Sequence, residues 1–229
     1  MKSKLILPSA ALEASVALAS CASTGEITPA ASSSPSPAKT AQAEPGLFFG
    51  SADFEPALST HALADTAALV ARGRLKSASE GPVAGKAGDE FSDIGLLVLE
   101  LEVKEAVKGA LPPSSDGNLY LRIPFPAGPD HFLEIIPPGS DVVVYANEID
   151  ASAEGDGQLE VIDPERGAPQ GQPVFVLSHP QGLVFDVSSD RSGDLFWPFA
   201  GYRAKASIAE ALPGGSEVGF SPETAPPSG

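Results

Sequence analysis

Oxygen-bearing side chains alternate through one acidic stretch, and this is the clearest pattern in the chain that could bind a metal ion. Four of them take the first, third, fifth and seventh positions of a calcium-binding loop around the turn-forming Gly155: Asp150, Ser152, Glu154 and Asp156. The twelfth position is Val161 rather than a bidentate glutamate. The pattern therefore indicates either a weak cation site or a solvated acidic loop. A second alternating run, from Asp186 to Asp194, predicts an ordinary polar loop.

Residues with the spacing of a catalytic centre are not recognisable in this sequence. His61, His131 and His179 are distant from one another, and none has a carboxylate at metal-ligand spacing. No serine stands in a Gly-x-Ser-x-Gly elbow. The stretch from Gly81 to Ala87 is one residue shorter than a phosphate-binding loop and lacks its hydroxyl residue. We therefore expect a protein that is not an enzyme, with no cofactor and no bound metal, and with His179 as a turn residue before Pro180.

The single cysteine, Cys21, is the residue with the most specific chemical setting. It ends the box Leu18-Ala19-Ser20-Cys21, which follows two lysines and a short apolar run in the order of an export signal. This arrangement resembles the signal and lipobox of bacterial lipoproteins, whose cysteine accepts diacylglycerol before the peptidase cleaves the chain. The resemblance implies a lipid anchor at Cys21 and a location on the extracytoplasmic face of the cell membrane. The alternative is a free, buried cysteine after an ordinary signal peptide, because Glu13 interrupts the apolar run.

Charge and length exclude several classes of partner and topology. The formal net charge is −16 at pH 7, so the surface repels nucleic acid and anionic lipid headgroups. The apolar run before Cys21 is shorter than the roughly 20 residues of a membrane-spanning helix. If Cys21 is acylated, the folded part has no disulfide and depends on its apolar core.

Composition divides the chain into four segments. Residues 1–20 are expected to be the signal peptide, and residues 21–46 the lipidated cysteine and a disordered tether rich in Ala, Ser and Pro. Residues 47–212 are expected to form the β domain, and residues 213–229 a disordered tail.

Alternation of apolar and polar residues predicts most of the strands. The predicted strands are Leu69–Lys76, Leu97–Lys104, Leu119–Ile123, Val142–Tyr145, Leu159–Ile162, Val174–Leu177 and Leu183–Val187. Residues 77–93 are expected to be a loop, and the last two strands to form a hairpin around His179–Gly182, closed by a left-handed Gly182. Val142–Tyr145 is apolar throughout, which predicts a strand covered on both faces. Short helices are expected after Ser59 and at Ser207–Glu210, where the spacing is that of a capping box.

These elements predict an all-β fold, a small antiparallel OB-like barrel or alternatively a β-sandwich, with short peripheral helices. Three features carry a resemblance to the OB-like barrels of netrin modules: Gly73 in mid-strand, Lys108-Gly109 after a long strand, and Pro138-Gly139 before the next. The resemblance covers roughly residues 58–187. It implies a barrel without the disulfides of the animal members, and no binding or inhibitory residue transfers.

Two surface features allow two interpretations each. Phe196, Trp197 and Phe199 either form an exposed docking patch or close the open end of the barrel. The basic stripe Arg72, Arg74 and Lys76 either binds an anionic ligand or pairs across the sheet with Glu100 and Glu102.

The lipid anchor, the tether and the lack of a recognisable catalytic motif together predict a lipid-anchored module that binds an envelope protein or polysaccharide. The alternatives are a cation- or small-ligand-binding accessory protein and an envelope hydrolase with an unrecognised site.

Overall fold

The computed structural model describes residues 39–43, 54–85, 94–149, 160–214 and 217–220. Its strands are β1 (Lys39–Ala43), β2 (Leu69–Gly85), β3 (Ile94–Lys108), β4 (Asn118–Pro124), β5 (Asp141–Glu148), β6 (Glu160–Ile162), β7 (Val174–Leu177), β8 (Leu183–Asp186), β9 (Asp194–Trp197), β10 (Tyr202–Lys205) and β11 (Val218–Phe220). The helices are α1 (Thr60–Thr66) and α2 (Pro129–Ile135), with 3-10 turns at Pro113–Ser115, Pro180–Gly182 and Ile208–Ala211. The prediction of a mostly β fold with short helices is confirmed.

Five strands pair in a closed circuit. β2 pairs with β3 and β3 with β4, both antiparallel. β4 pairs with β7 in parallel, β7 with β5 antiparallel, and β5 with β2 antiparallel, which returns to the starting strand. A purely antiparallel sheet was therefore the wrong prediction, because β4 and β7 run in the same direction.

Alternate residues of these strands pack into one apolar cluster, which we call the first core. Its members are aliphatic and aromatic residues that are almost fully buried: Leu69, Ala71, Leu75, Leu97, Leu99, Leu101, Leu119, Leu121, Ile123, Phe125, Phe132, Ile136, Val142, Val144, Ala146, Phe175, Leu183, Phe185 and Phe196. The alternation predicted for β2, β3 and β4 is confirmed by this set. Such burial is the main favourable term in folding.

Helix α2 supplies Phe132 to the first core, although the sequence indicated only a loop between β4 and β5. Pro129 stands in its first turn, where the missing N–H costs nothing. The helix has 7 residues and one of them is fully buried, so it is too short to show an apolar period.

The remaining strands extend the sheet beyond β5 in the order β8, β9, β10, β1 and β11, and β6 pairs with the far end of β2. Strands β8, β9, β10 and β11 contribute to a second core, together with β2, β5, α1 and the turn at Ile208–Ala211. Its members are Leu63, Ala64, Ala67, Val70, Val143, Tyr145, Val184, Leu195, Trp197, Ala200, Tyr202, Ala204, Ala206, Ile208, Ala211, Val218 and Phe220. Val142 and Val144 of β5 belong to the first core and Val143 and Tyr145 to the second, which confirms a strand covered on both faces.

Strand β2 is longer than its pattern indicated. Residues 77–85, expected to be loop, continue the strand against β3 and, at Val83–Gly85, against β6. The pairing with β3 changes register several times along β2, for example between Leu75 and Ser77. Each such irregularity shifts the alternation of faces, so a strict period of two is lost from the sequence.

The hairpin predicted around His179–Gly182 is wrong. β7 pairs with Ala146–Glu148 of β5, and β8 pairs with Val142–Val144 of the same strand. The intervening residues form a 3-10 turn that moves the chain along β5 instead of reversing it onto β7. Gly182 does not have a positive φ, and its role is steric, because a Cβ there would lie 2.9 Å from the carbonyl oxygen of Tyr145.

Two adjacent strands at one end of the sheet, β1 and β11, lie in segments that composition indicated to be disordered. Lys39–Ala43 lies within the expected tether of residues 21–46, and Val218–Phe220 within the expected tail of residues 213–229. For these residues the structure has strands, β1 and β11, where the sequence indicated disorder. Main-chain pairing with strands far away in the sequence forms them, and composition carries no signal for such pairing.

Two of the three glycines singled out in the sequence, Gly73 and Gly109, stand where the backbone leaves no room for a side chain. A Cβ at Gly73 would lie 2.3 Å from the carbonyl oxygen of Glu102 on the paired strand β3. Gly109 has a φ of +72°, and a Cβ there would lie 2.3 Å from the carbonyl oxygen of Ala68. Both positions set how closely β3 approaches β2 and the residue that precedes it.

Candidate binding surface

The residues predicted to carry the anchor and the cation site lie outside the described residues. These are Leu18, Ala19, Ser20 and Cys21 of the box, and Asp150, Ser152, Glu154 and Asp156 of the acidic loop. Within the described part of the chain, no helix combines the length and apolarity required to cross a bilayer. In the same part, no three His, Cys, Asp or Glu side chains gather in a way that could hold a metal ion.

His179 has a structural role, which confirms its interpretation as a turn residue. Its Nδ1 accepts a hydrogen bond from the backbone N–H of Gln181 at 3.1 Å, so it caps the 3-10 turn. Its Nε2 then carries the proton and donates to the carbonyl oxygen of Glu55 at 3.0 Å. The ring also packs edge-on against Phe54. This histidine therefore fastens residues 54–55 to the sheet.

The other two histidines are separate from His179 and from each other in the fold. His131 lies in α2, where its ring stacks on Phe125 and its Nδ1 is 3.4 Å from Glu134 Oε2. His61 lies in α1, and its backbone N–H donates to Glu217.

The aromatic residues near position 197 do not form one surface patch. Phe196 and Trp197 are successive residues of β9, so they point to opposite faces: Phe196 belongs to the first core and Trp197 to the second. Trp197 packs edge-on against Phe220 with the ring centroids 5.5 Å apart. Phe199 is partly buried against the first core. A shared docking patch is therefore the wrong interpretation, and so is a shared plug at one end.

The outward side of β2, β3 and β4 carries a group of charged and polar residues, which we call the charged face: Arg74, Lys76, Glu100, Glu102, Lys104 and Asn118. In the register, Arg74 stands opposite Glu102, as expected, and Glu102 stands opposite Asn118 on the far side. Arg72 is opposite Glu105, because the register between β2 and β3 shifts after Arg72. Part of the predicted cross-strand pairing is thus confirmed.

Each cation of the charged face lies against an anion. Lys76 Nζ is 2.5 Å from Glu100 Oε1 and also donates to Asn118 Oδ1 at 3.2 Å. Lys104 Nζ is 2.5 Å from Glu102 Oε1. The hydrogen bond to Glu100 raises the pKa of Lys76, and the hydrogen bond from Lys104 lowers the pKa of Glu102. These groups are exposed, so solvent screens the pairs and they contribute little to stability.

Asp141, which sequence reasoning did not single out, joins the charged face to the next strand. Its Oδ1 accepts from Arg74 Nε at 3.1 Å, and its Oδ2 is 3.7 Å from Arg191 Nε. Asp141 is 9 % exposed, which makes it the most protected acid in these pairs. The sequence signal for this contact was the position of Asp141 directly before the buried run Val142–Tyr145. A charged residue at the start of a buried strand usually has a partner of opposite charge.

The predicted polar loop after β8 is confirmed and is closed by Asp186. The Oδ1 of this carboxylate accepts from the backbone N–H of Ser188 at 3.0 Å and from that of Asp194 at 3.3 Å. The bond from Ser188 is typical of an Asx turn, and the bond from Asp194 joins the two ends of the loop, so Asp186 has a structural role.

A loop at residues 163–168 borders the charged face. It lies where Ser79 of β2, Val98 of β3 and Arg122 of β4 stand opposite one another in the sheet. Arg122 Nη2 donates to the carbonyl oxygen of Pro164 at 2.6 Å, and Ser79 Oγ donates to that of Gly167 at 3.0 Å. The charged face is therefore bounded on this side by the loop. It offers both donors and acceptors, which suits hydrogen bonding to a polar partner.

No protein-family model, curated protein sequence or solved structure matches this chain.

Proposed function

We propose that this protein is a lipid-anchored extracytoplasmic lipoprotein whose β domain is a non-enzymatic binding module for an envelope protein or polysaccharide. The observation that carries the binding role is the charged face: paired donors and acceptors held at fixed spacing on three adjacent strands. Because its cations are already neutralised by neighbouring carboxylates, it favours a polar partner over a purely anionic one. The side chains of His131 and His179 both make contacts within the fold.

For the fold, we infer that the five-strand circuit is a small OB-like barrel of the netrin type. Two observations support this inference over a β-sandwich. Every strand of the circuit has a partner on each side, so the circuit has no free edge. The strands that come third and fifth in the chain among these five, β4 and β7, pair in parallel, with α2 placed between β4 and β5 in the chain.

The anchor is tested first, because it decides where the binding module works. Mass spectrometry of the protein purified from bacterial membranes should find a diacylglycerol-modified Cys21 as the first residue. A Cys21→Ala variant should move to the soluble extracytoplasmic fraction. An unmodified cysteine, or a variant that still sediments with membranes, would overturn the anchor.

The binding role is tested with two variants that make the same charge change. Glu102→Lys alters the charged face, whereas Glu134→Lys alters an exposed residue of α2, outside the face. A component captured from solubilised envelope by the wild type should be purified and titrated against all three proteins. We expect the Kd to rise at least tenfold for Glu102→Lys and to stay unchanged for Glu134→Lys. Equal affinity of both variants would contradict the assignment of the charged face.

A cation-binding accessory role is the second candidate, because oxygen side chains alternate through Asp150–Asp156. If the acidic loop binds calcium, millimolar calcium must raise the Tm of the protein, and an Asp150→Asn, Glu154→Gln double variant must lose that rise. An unchanged Tm in the wild type would leave this candidate without support.

A further inference from the structure

We propose that Lys39–Ala43 is a releasable strap, docked as β1 into a strand-binding slot between β10 and β11, and that its docking sets the reach of the membrane tether. The strap lies antiparallel to β10, with Gln42 opposite Arg203 and Ala43 opposite Tyr202. It lies parallel to β11, with Lys39, Thr40 and Ala41 opposite Val218, Gly219 and Phe220. A segment from the amino-terminal side of the domain thus completes a sheet built from its carboxyl-terminal strands.

The slot exists independently of the strap, because each of its walls has other contacts. β10 pairs with β9 along four residue pairs, from Tyr202 opposite Trp197 to Lys205 opposite Asp194. On the other wall, the backbone N–H of Phe220 donates to the carbonyl oxygen of Leu58 at 3.2 Å, and Gly219 forms a bridge with Ser59. The walls therefore stay in place when the strap leaves.

Glu217 fastens the same wall to helix α1. Its Oε2 accepts from Thr60 Oγ1 at 2.6 Å, and its Oε1 accepts from the backbone N–H of Gly214 at 2.6 Å. Val218 and Phe220 are also buried members of the second core. Neither contact involves β1.

The strap itself is weakly specified. Its sequence is Lys-Thr-Ala-Gln-Ala, without a large apolar residue, and alanine and lysine are both depleted in strands. The strap pairs through its main chain with two neighbours over only 5 residues. A short strand of such residues opens locally at a lower free energy than the long apolar strands of the two cores.

Release of the strap would change the reach of the domain, and this consequence rests on the proposed lipid anchor at Cys21. With the strap docked, about 18 residues link Cys21 to the sheet, which span at most roughly 60 to 65 Å when fully extended. With the strap released, the next described contact to the sheet is at Glu55, whose carbonyl oxygen accepts from His179 Nε2 at 3.0 Å. About 34 residues then link the lipid to this contact, and the limit rises to roughly 110 to 120 Å.

Trypsin offers a direct measurement of docking. Lys39 is the only lysine or arginine between Cys21 and Arg72, so the one tryptic site in that stretch lies inside the strap. We compare the detergent-purified full chain with a Gln42→Pro variant, in which proline removes a main-chain donor within β1. Ser33→Pro is the matched control, six residues before the strap begins. Cleavage after Lys39 should be at least tenfold faster in Gln42→Pro than in the wild type and in Ser33→Pro. Equal rates in all three proteins would overturn docking.

Hydrogen exchange of the wild type tests release and does not depend on the variant folding. Amides of residues 40–43 should exchange more slowly than an unstructured peptide and faster than those of β5. Exchange at the unstructured rate would overturn docking, and exchange as slow as that of β5 would overturn release. Neither experiment depends on the lipid, so failure of the strap remains distinguishable from failure of the anchor, which is measured by membrane fractionation of Cys21→Ala.

Discussion

The two cores of this protein are built by different means. The first core takes leucine, valine, isoleucine and phenylalanine side chains chiefly from long strands that follow one another in the chain. The second core takes alanines and large aromatic residues from segments as distant as Leu63, Trp197 and Phe220. A repeated apolar pattern is enough to assemble the first, whereas the second depends on a few polar contacts between distant segments.

Three such contacts surround the second core. Tyr145 Oη donates to the carbonyl oxygen of Ala211 at 2.7 Å. Gln181, which is completely buried, accepts from the backbone N–H of Ala57 and donates to its carbonyl oxygen. Glu217 accepts from Thr60 of α1. Each contact fixes a short segment whose own apolar surface is small, so its loss should affect the second core more than the first.

The largest effect is expected in the first core. Leu99→Ala removes a side chain with 0 % exposure and should lower the free energy of unfolding by about 2 to 5 kcal/mol, through lost burial and the cavity left behind. Leu58→Ala makes the same chemical change at a residue that is 61 % exposed and should change it by less than about 0.5 kcal/mol.

Urea unfolding of Leu99→Ala also tests whether the cores are coupled. The only tryptophan is Trp197 in the second core, so its fluorescence reports that core, whereas far-ultraviolet circular dichroism reports the whole sheet. Because β5 contributes to both cores, the two signals should shift together. Separate transitions would show that the cores unfold independently.

A methyl group added at Gly73 should be the next most damaging change. Its Cβ would meet backbone atoms of Glu102 and Val103 and force β2 and β3 apart, with an expected loss of about 1 to 3 kcal/mol. Gly95→Ala is the matched control, since its Cβ would lie 3.9 Å from Pro126 in ordinary contact. Thermal unfolding of both variants should give a lower Tm for Gly73→Ala than for Gly95→Ala. Equal Tm values would contradict the close approach of the two strands at Gly73.

Two tyrosines of the second core should respond differently to loss of the hydroxyl group. Burial raises the pKa of both, so each remains a neutral phenol at physiological pH. Tyr145→Phe leaves the carbonyl of Ala211 without its donor and should cost about 1 to 2 kcal/mol. Tyr202 Oη has no partner among the described residues, so Tyr202→Phe should be neutral or slightly stabilising. Similar losses in both variants, measured by urea unfolding, would refute the contact to Ala211.

The smallest effect is expected at Glu217 and depends on pH. Partial burial acts to raise the pKa of this carboxyl, but hydrogen bonds from Thr60, Gly214 and His61 outweigh it and lower the pKa below its ordinary value. The unfolded chain therefore binds this proton more readily, so the stabilisation is complete above the unfolded pKa and is lost as the pH falls through the folded pKa. Glu217→Gln should unfold at slightly lower urea concentration than wild type at pH 7, with the difference shrinking toward pH 3. A difference that stays constant with pH would exclude this cause.

Most strands of the five-strand circuit were predictable, because a long strand with one apolar face shows alternating apolar and polar residues in the sequence. β3 and β4 follow it closely, and Ser59 and Ser207 cap their short helices as the sequence indicated. The hairpin at His179–Gly182 was not predictable in its pairing. The same local turn can return a strand onto its neighbour or carry it along a third strand, and only contact with β5 selects between them.

The candidate surface was partly predictable as well. Arg74 and Glu102 could be paired from the alternation of β2 and β3, whereas the bond from Arg74 to Asp141 requires knowing that β5 is the other neighbour of β2. Strand order is a property of the whole fold and has no local signal.

The amino-acid sequence alone determined the mostly β class, the acidic surface, the inward faces of the long strands and the box that ends at Cys21, because each depends on residue types at fixed local spacing. Tertiary structure alone decided the closed circuit, the place of β1 and β11 in the sheet and the aromatic second core. Those features join residues far apart in the chain through backbone pairing and buried polar contacts, and neither leaves a periodic trace in the sequence.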